Sequence, residues 1–157
     1  MPRTRGRSSN SDVEGFVARF DPPVATLVRR CRAALRRRWP TAVELIYDNY
    51  NALAIGFGST DRMSDVFVSL AVYARGVNLY FMYGVELPDP DDILEGTGNR
   101  GRFVRLASVT DLERPDISAL LDAAVRNGDT PLRIKGLGHT VIKSVSKKQR
   151  SRRPRAR

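Results

Sequence analysis

The chain has 157 residues, 28% of them charged, and a formal net charge of +10. That length suits one domain with its own core plus short tails. The sequence has no run of the roughly 18 apolar residues that a membrane helix needs, and its start, MPRTRGRSSNS, does not resemble a secretory signal. One cysteine excludes an internal disulfide and argues against a cysteine-based zinc site. We therefore expect a cytoplasmic protein without membrane contact.

The positive charge is concentrated at the ends of the chain. Three of the 27 basic residues lie in residues 1–10 and ten lie in 131–157, and neither stretch contains an acidic residue. Residues 11–130 therefore hold fourteen basic residues and all 17 acidic ones. We predict a disordered basic N-terminal tail over 1–10, a folded domain over 11–145 and a disordered basic C-terminal tail over 146–157.

Two amphipathic helices are predicted at the start of the domain. Ser11 and Glu14 have the spacing of a capping box, which favours a helix over 12–20. Asp21-Pro22-Pro23 then ends this helix and begins a second one over 23–38. Such a pair is the expected cover for one face of a sheet.

A β-hairpin is the predicted centre of that sheet. Apolar residues alternate along 66–74 and again along 77–83, with a change of parity at Arg75-Gly76. Gly76 would supply the positive φ of a tight turn. The residues predicted to share one face are Val66, Val68, Leu70, Val72 and Ala74, and Val77, Leu79, Phe81 and Tyr83.

Four further strands and one helix complete the prediction. The strands are 43–47, 52–57, 103–106 and an edge strand over 140–145, and the helix covers 115–127 behind a first-turn proline. The order α-α-β-β-β-β-loop-β-α, with the further strand at its end, indicates a two-layer α+β fold. In it, an antiparallel sheet has helices packed on one face.

The loop before residue 103 offers a candidate anion site. Gly96, Gly98 and Gly101 match G-x-G-x-x-G, but a strand rather than a helix follows, so we interpret them as a sharply turning loop and not as a nucleotide site. Arginine forks beside these glycines could bind an anion, or they could pair with acids upstream. The candidate residues are Arg100, Arg102 and Arg105.

Five carboxylates precede these glycines, at Glu86, Asp89, Asp91, Asp92 and Glu95. Clustered oxygens suit a hard cation or iron, but the spacing matches no EF-hand and two prolines hold the segment extended. We favour capping of a helical turn at 91–94 instead, and expect no tight iron site.

No catalytic pair can be assembled from the sequence. Cys31 lies on the apolar stripe of the second helix, which is typical of a core residue, and His139 is the single histidine. We therefore expect a protein that is not an enzyme.

Basic residues give a candidate nucleic-acid interface. The second helix carries six arginines, predicted to face away from its apolar stripe, and they indicate either a polyanion-binding face or a solvated one. We expect weak, salt-dependent binding, mainly through the C-terminal tail, and a melting temperature nearly unchanged when 147–157 is deleted. The candidate residues are Arg29, Arg36, Lys147, Lys148, Arg150, Arg152 and Arg153.

Several segments in the range 13–127 together resemble the YdhG-like family, the bacterial domain of unknown function 1801. They are TAVELIYDNYNALAIGFG, AVYARGVNLYFMYGVELPDP, LEGTGNRGRFVRL and DLERPDI, and the closing VIKSVSKKQRSRRP resembles one subgroup. The resemblance implies a small α+β domain with helices against an antiparallel sheet. Most family members have no assigned activity, and one branch is described as a frataxin-like iron chaperone.

Frataxins place acids on the first helix and the adjoining strand edge, whereas the first helix here offers only Asp12 and Glu14. We assign no iron ligand on the basis of the resemblance. We expect no cofactor, and iron is the only one that the resemblance implies. The predicted function is a non-catalytic binding or accessory role in a bacterium. The alternatives are a frataxin-like intracellular iron chaperone and a weak, non-specific nucleic-acid-binding accessory protein that uses its basic tails.

Overall fold

The computed structural model describes residues 5–154, and the rest of the predicted tails, 1–4 and 155–157, lies outside the described residues. The described chain confirms the predicted α+β fold, with helices on one face of a sheet. Its elements are α1 (Arg5–Val17), α2 (Pro22–Arg38), β1 (Val43–Asp48), β2 (Leu53–Gly58), β3 (Val66–Tyr73), β4 (Gly76–Phe81), β5 (Arg102–Leu106), α3 (Pro115–Asn127) and β6 (Thr140–Val145).

The six strands form one mixed sheet in the order β5-β4-β3-β2-β1-β6. β1 to β5 pair antiparallel, as predicted, but β6 runs parallel to β1. A parallel pair needs a long connection, and everything from β2 to α3 lies between β1 and β6 in the chain. The prediction of a purely antiparallel sheet was wrong in this one strand.

The central hairpin has the predicted parity. Leu70 pairs with Leu79, and Val72 pairs with Val77, and all four side chains are fully buried on the helical face. The turn, however, lies at Ala74-Arg75, so that Gly76 is the first residue of β4. Gly76 is not among the residues with positive φ in the described chain.

Two residues of the predicted hairpin face lie elsewhere. The register between β2 and β3 shifts at Phe57/Gly58, and this irregularity turns Val66 to the face opposite Val68. Tyr83 lies beyond the end of β4, where its hydroxyl donates to the carbonyl of Ser64 at 2.8 Å.

The main core lies between the sheet and the three helices described. Val13 and Val17 of α1, Val28 of α2 and Leu121 of α3 belong to the same buried cluster as the inward residues of the strands. Burial of such side chains is the main stabilising contribution of a fold of this kind. The opposite face of the sheet, hereafter the open face, carries none of these helices. It has a smaller buried cluster of Val43, Leu45 and Val66 at one end.

The first helix begins earlier than predicted. Residues 5–10 of the predicted N-terminal tail are helical, and Ser11 lies inside α1, so the capping-box interpretation was wrong. A side-chain contact holds the end of this extension against α2, because Asn10 accepts a hydrogen bond from Arg32 at 2.9 Å. Further along α1, Glu14 pairs with Arg29 at 2.9 Å. α1 also ends earlier, at Val17, although Phe20 beyond it is buried.

None of the helices in residues 5–154 has the length and apolar character to cross a membrane. The longest of them, α2, has 17 residues and contains six arginines.

Candidate functional site

A groove of about 520 Å³ lies on the open face of the sheet, at the end of the strands where β1 turns into β2. It is the largest of the cavities described here, and three tyrosines are among its lining residues. Among the described residues, eleven line it and none of these carries a charge: Asn49, Tyr50, Asn51, Ala52, Ala54, Ser69, Ala71, Tyr73, Tyr80, Met82 and Ser146. We refer to these residues as the open-face groove.

The strand register explains the shape of this groove. Ala54 of β2 pairs with Ala71 of β3, and Gly56 pairs with Ser69, so small residues form the middle of the open face. Larger side chains lie next to these small residues on the neighbouring strands: Tyr47 of β1 pairs with Ala54, and Tyr80 of β4 pairs with Ser69. Because residues paired across strands share a face, the small residues leave a trough over β2 and β3, flanked by the larger side chains of β1 and β4.

Three tyrosines provide flat apolar surfaces around the groove. Tyr50 and Tyr73 are 49% and 43% exposed, which is unusual for large aromatic side chains. Tyr80 is half-buried, and its hydroxyl occupies the space that a Cβ on Gly101 would need, so the glycine loop holds this ring in place. Nearby, burial raises the pKa of Tyr47 above its ordinary value.

Residues 146–154, hereafter the C-terminal segment, border the groove and do not form the disordered tail that was predicted. The Ser146 amide donates to the carbonyl of Asp48, and the Arg150 amide donates to that of Tyr50, each at 2.9 Å. The Arg150 guanidinium lies 5.6 Å from the centre of the Tyr50 ring, within cation–π range.

A buried ion pair anchors this segment. Arg152 is 4% exposed and donates to Oδ1 of Asp48 at 2.9 Å and to the carbonyl of Asn49 at 2.6 Å. The Asp48 Oδ2 atom has no hydrogen-bond partner among the described residues, although Arg19 Nη1 is 3.7 Å away. An unpaired buried charge is costly, and this pairing explains why the segment packs despite its polar composition.

The predicted nucleic-acid residues of this segment therefore separate into two groups. Arg152 is buried in the ion pair, and Arg153 donates to the carbonyl of Arg19 and lies 3.7 Å from Asp21. Both have structural contacts that the prediction did not foresee. The others, Lys147, Lys148 and Arg150, are exposed next to the groove.

The arginines of α2 do not form one free basic face. Arg32, predicted to face solvent, is 6% exposed and makes two 2.7 Å hydrogen bonds to the buried Glu44, which also accepts one from Thr140. Arg29 is paired with Glu14, so of the two candidate residues in this helix only Arg36 remains without an ion pair in the described chain.

The three candidate anion-binding arginines do not converge. Arg100 lies at a separate cavity of about 400 Å³ that also contains Asp65 and Glu86. Arg102 donates to the carbonyls of Gly98 and Gly101, both at 2.6 Å. Arg105 donates to the carbonyl of Arg75 at 2.8 Å and lies on the other side of β5 from Arg102, because their positions differ by an odd number. The structure therefore does not bring these arginines together at one site, and anion binding by any of them stays a prediction.

At least one carboxylate of the acidic loop stabilises the local backbone. Asp89 accepts hydrogen bonds from the amides of Ile93 and Leu94 at 3.0 and 2.9 Å. Asp89 thus stabilises a turn of the loop, but the predicted helical turn at 91–94 does not form, and the 3-10 turn nearest to it lies at Gly84–Glu86. Across residues 5–154, no group of three or more histidine, cysteine or acidic side chains is placed to hold a metal ion.

The two residues considered for nucleophilic chemistry lie apart from the open-face groove. Cys31 is fully buried in the helical core, where burial, with a smaller contribution from Asp111, raises its pKa to about 12. His139 is exposed beside a cavity of about 190 Å³ at the other end of the strands, next to Trp39 and Leu137.

Sequence reasoning missed the groove, although a local signal for it exists. On the parity opposite to the core residues, β2 and β3 carry Ala54, Gly56, Ser69 and Ala71, and such small residues on adjacent strands indicate a depression in a sheet face. Tyr50 and Ser146 complete the groove only because the C-terminal segment packs against β1, and no local sequence pattern predicts that packing.

Comparison with known proteins finds no matching family model, no matching curated protein and no matching solved structure. The resemblance to the YdhG-like family stays a prediction.

Proposed function

We propose that this chain is a non-catalytic binding domain whose ligand site is the open-face groove. The observation that carries the proposal is the arrangement of that face: it has no helix on it, a floor of small residues, and walls of exposed tyrosine. Exposed aromatic side chains around a concave surface are typical of recognition sites rather than of a merely solvated sheet.

The chemistry of the lining favours a flat, uncharged ring as the bound group. Tyr50, Tyr73 and Tyr80 offer ring faces for stacking, and Ala54 and Ala71 leave room between them. Asn49 and Asn51 lie at the rim, where their amides can donate and accept hydrogen bonds at the edge of such a ring. Pockets of this size commonly combine a mainly apolar surface with a few polar groups that fix orientation.

We propose binding rather than catalysis because of the residue types that line the groove. Tyrosine, asparagine, serine, alanine and methionine can stack and form hydrogen bonds, and the described lining contains no carboxylate, histidine or cysteine. An accessory role, in which the domain holds a ligand for another protein, fits such a surface.

The proposal is tested with adenosine as a soluble planar probe, followed by amide chemical shifts of the isotope-labelled protein. We expect shifts that saturate at millimolar adenosine and cluster at Tyr50, Ala54, Ala71 and Tyr73. Shifts confined to the cavity at Arg100, or none at all, would count against the open-face groove.

A filling variant provides the matched comparison. Ala71→Leu places a larger side chain on the floor and is expected to abolish the saturable shifts. Ala119→Leu makes the same change on the exposed surface of α3 and should leave them unchanged. Equal binding by the two variants would contradict the proposed site.

A further inference from the structure

We propose that the open-face groove binds single-stranded nucleic acid, with bases in the groove and phosphates on the exposed cations at its two edges. This inference rests on the proposed function and names the class of its ligand. It differs from the sequence-based expectation, which assigned nucleic-acid contact mainly to a disordered C-terminal tail.

The first edge is the C-terminal segment. Lys147 and Lys148 are exposed and directly follow Ser146, which lines the groove. The exposed Arg150 packs over the ring of Tyr50, so its positive charge lies beside an aromatic ring that can stack on a base. The buried pair of Arg152 with Asp48 fixes this segment against β1, so these cations have defined positions.

The second edge is formed by β5 and the β3–β4 turn. A single row across the open face runs from Tyr47 through Ala54, Ala71 and Asn78 to Arg105. Arg105 is exposed and donates to the carbonyl of Arg75, which places two more cations at this edge. With strands about 4.8 Å apart, the row from β1 to β5 is about 19 Å long.

Charge and shape together favour a single strand. A polyanion complements cations on both sides of a trough whose described lining contains no acid. The tyrosine rings can stack only on bases whose faces are free, and a duplex hides those faces. An acidic polypeptide would satisfy the cations but not the ring faces, and it is therefore the competing outcome of the test.

The experiment uses fluorescence anisotropy of the full chain with a labelled oligothymidylate of about 12 nucleotides. A duplex of equal length and polyglutamate are the competitors. We expect the single strand to bind more tightly than the duplex and to resist displacement by polyglutamate.

Variants separate stacking from charge. Tyr73→Ala is expected to weaken binding by about 5- to 150-fold, the usual range for loss of one stacked base, whereas Tyr73→Phe keeps a ring and should bind like the parent. The double change Lys147→Gln with Lys148→Gln should reduce the salt slope by about 1.4, since each phosphate contact on a single strand contributes about 0.7.

The control for charge is Arg133→Gln with Lys135→Gln, two exposed cations in the loop before β6. This variant should retain the parent salt slope, and thermal melts check that every variant is folded. Equal affinity for single strand and duplex, or full binding by Tyr73→Ala, would overturn the nucleic-acid inference. If adenosine still bound in the groove, the proposed function would survive that result; if adenosine also failed, both would be rejected.

Discussion

Arg152 and Asp48, 104 positions apart in sequence, form an ion pair in which both side chains are almost completely buried. The pair joins the C-terminal segment to the end of β1 and places the Arg152 guanidinium 5.7 Å from the ring of Phe20. Residues 146–154 are therefore part of the folded domain, and the predicted boundary at residue 145 was placed too early.

Replacing Arg152 should destabilise the fold, contrary to the sequence-based expectation for deletion of 147–157. Arg152→Met leaves the Asp48 carboxylate buried without its closest partner, and the expected loss is about 3–5 kcal/mol. Arg153→Met is the matched control, because its 3.7 Å pair with Asp21 is half-exposed and should be worth less than about 1 kcal/mol. Urea denaturation of both variants makes the comparison, and equal midpoints would show that the buried pair is not a stabilising anchor.

The second buried pair gives a similar contrast within one helix. Arg32→Met removes both hydrogen bonds to Glu44 and should cost about 3–5 kcal/mol, while Arg29→Met breaks only an exposed pair with Glu14 and should cost under about 1 kcal/mol. Thermal unfolding followed by circular dichroism measures both. A loss of similar size in the two variants would mean that Arg32 contributes no more than a surface arginine.

Two leucine substitutions compare the contribution to stability of the centre of the sheet with that of the edge of the helical layer. Leu79→Ala should destabilise by about 2–5 kcal/mol, because Leu79 is fully buried opposite Leu70. Leu27 is only half-buried at the margin of the core, so Leu27→Ala should cost less. Chemical denaturation of the two variants measures the difference, and equal losses would contradict the marginal position of Leu27.

Cys31 should be unreactive in the folded protein. Its side chain is fully buried, and a pKa raised to about 12 leaves almost no thiolate at pH 8. Iodoacetamide is expected to modify it only as fast as the chain unfolds, with complete modification in strong denaturant. Rapid labelling under native conditions would contradict this core position.

Acid should weaken the contact around Asp65. A hydrogen bond from Thr60 is the largest cause that holds the pKa of Asp65 below its ordinary value. A carboxyl group with a lowered folded-state pKa stabilises the fold above its unfolded pKa, near 4, and this contribution is lost as pH falls through the lower folded value. Asp65→Asn should thus lower the urea midpoint at pH 6 but have a smaller effect near pH 3. An effect independent of pH would refute the assignment.

The sequence predicted most elements of the fold because alternation is a local property. Val68, Leu70 and Val72 determine which face of β3 is buried, and their partners in β4 follow from the turn. The direction of β6 was not predictable in this way, since nothing within residues 140–145 specifies whether the neighbouring strand is parallel or antiparallel.

The site depends on long-range contacts and was correspondingly harder to predict. In the sequence, Arg152 looks like Arg153 or Arg150, although the structure buries the first and exposes the other two. An arginine is buried only where an acid pairs with it, here the distant Asp48. The sequence around residue 152 does not indicate that pairing. The small residues of β2 and β3, by contrast, alternate with the core residues, and this local pattern can be recognised in the sequence.

The attachment of β6 and the C-terminal segment to β1 also has a consequence for the time course of folding. β6 lies next to residues 44–48, and Arg152 reaches the end of the same strand, so residues synthesised much later complete contacts with β1. Contacts of such large sequence separation slow folding, because the intervening chain must first be brought together. During translation, the outer edge of β1 stays uncovered until β6 leaves the ribosome, and the Asp48 carboxylate stays uncovered until Arg152 does. For that interval the nascent chain carries an unpaired strand edge, the kind of surface that pairs with other chains.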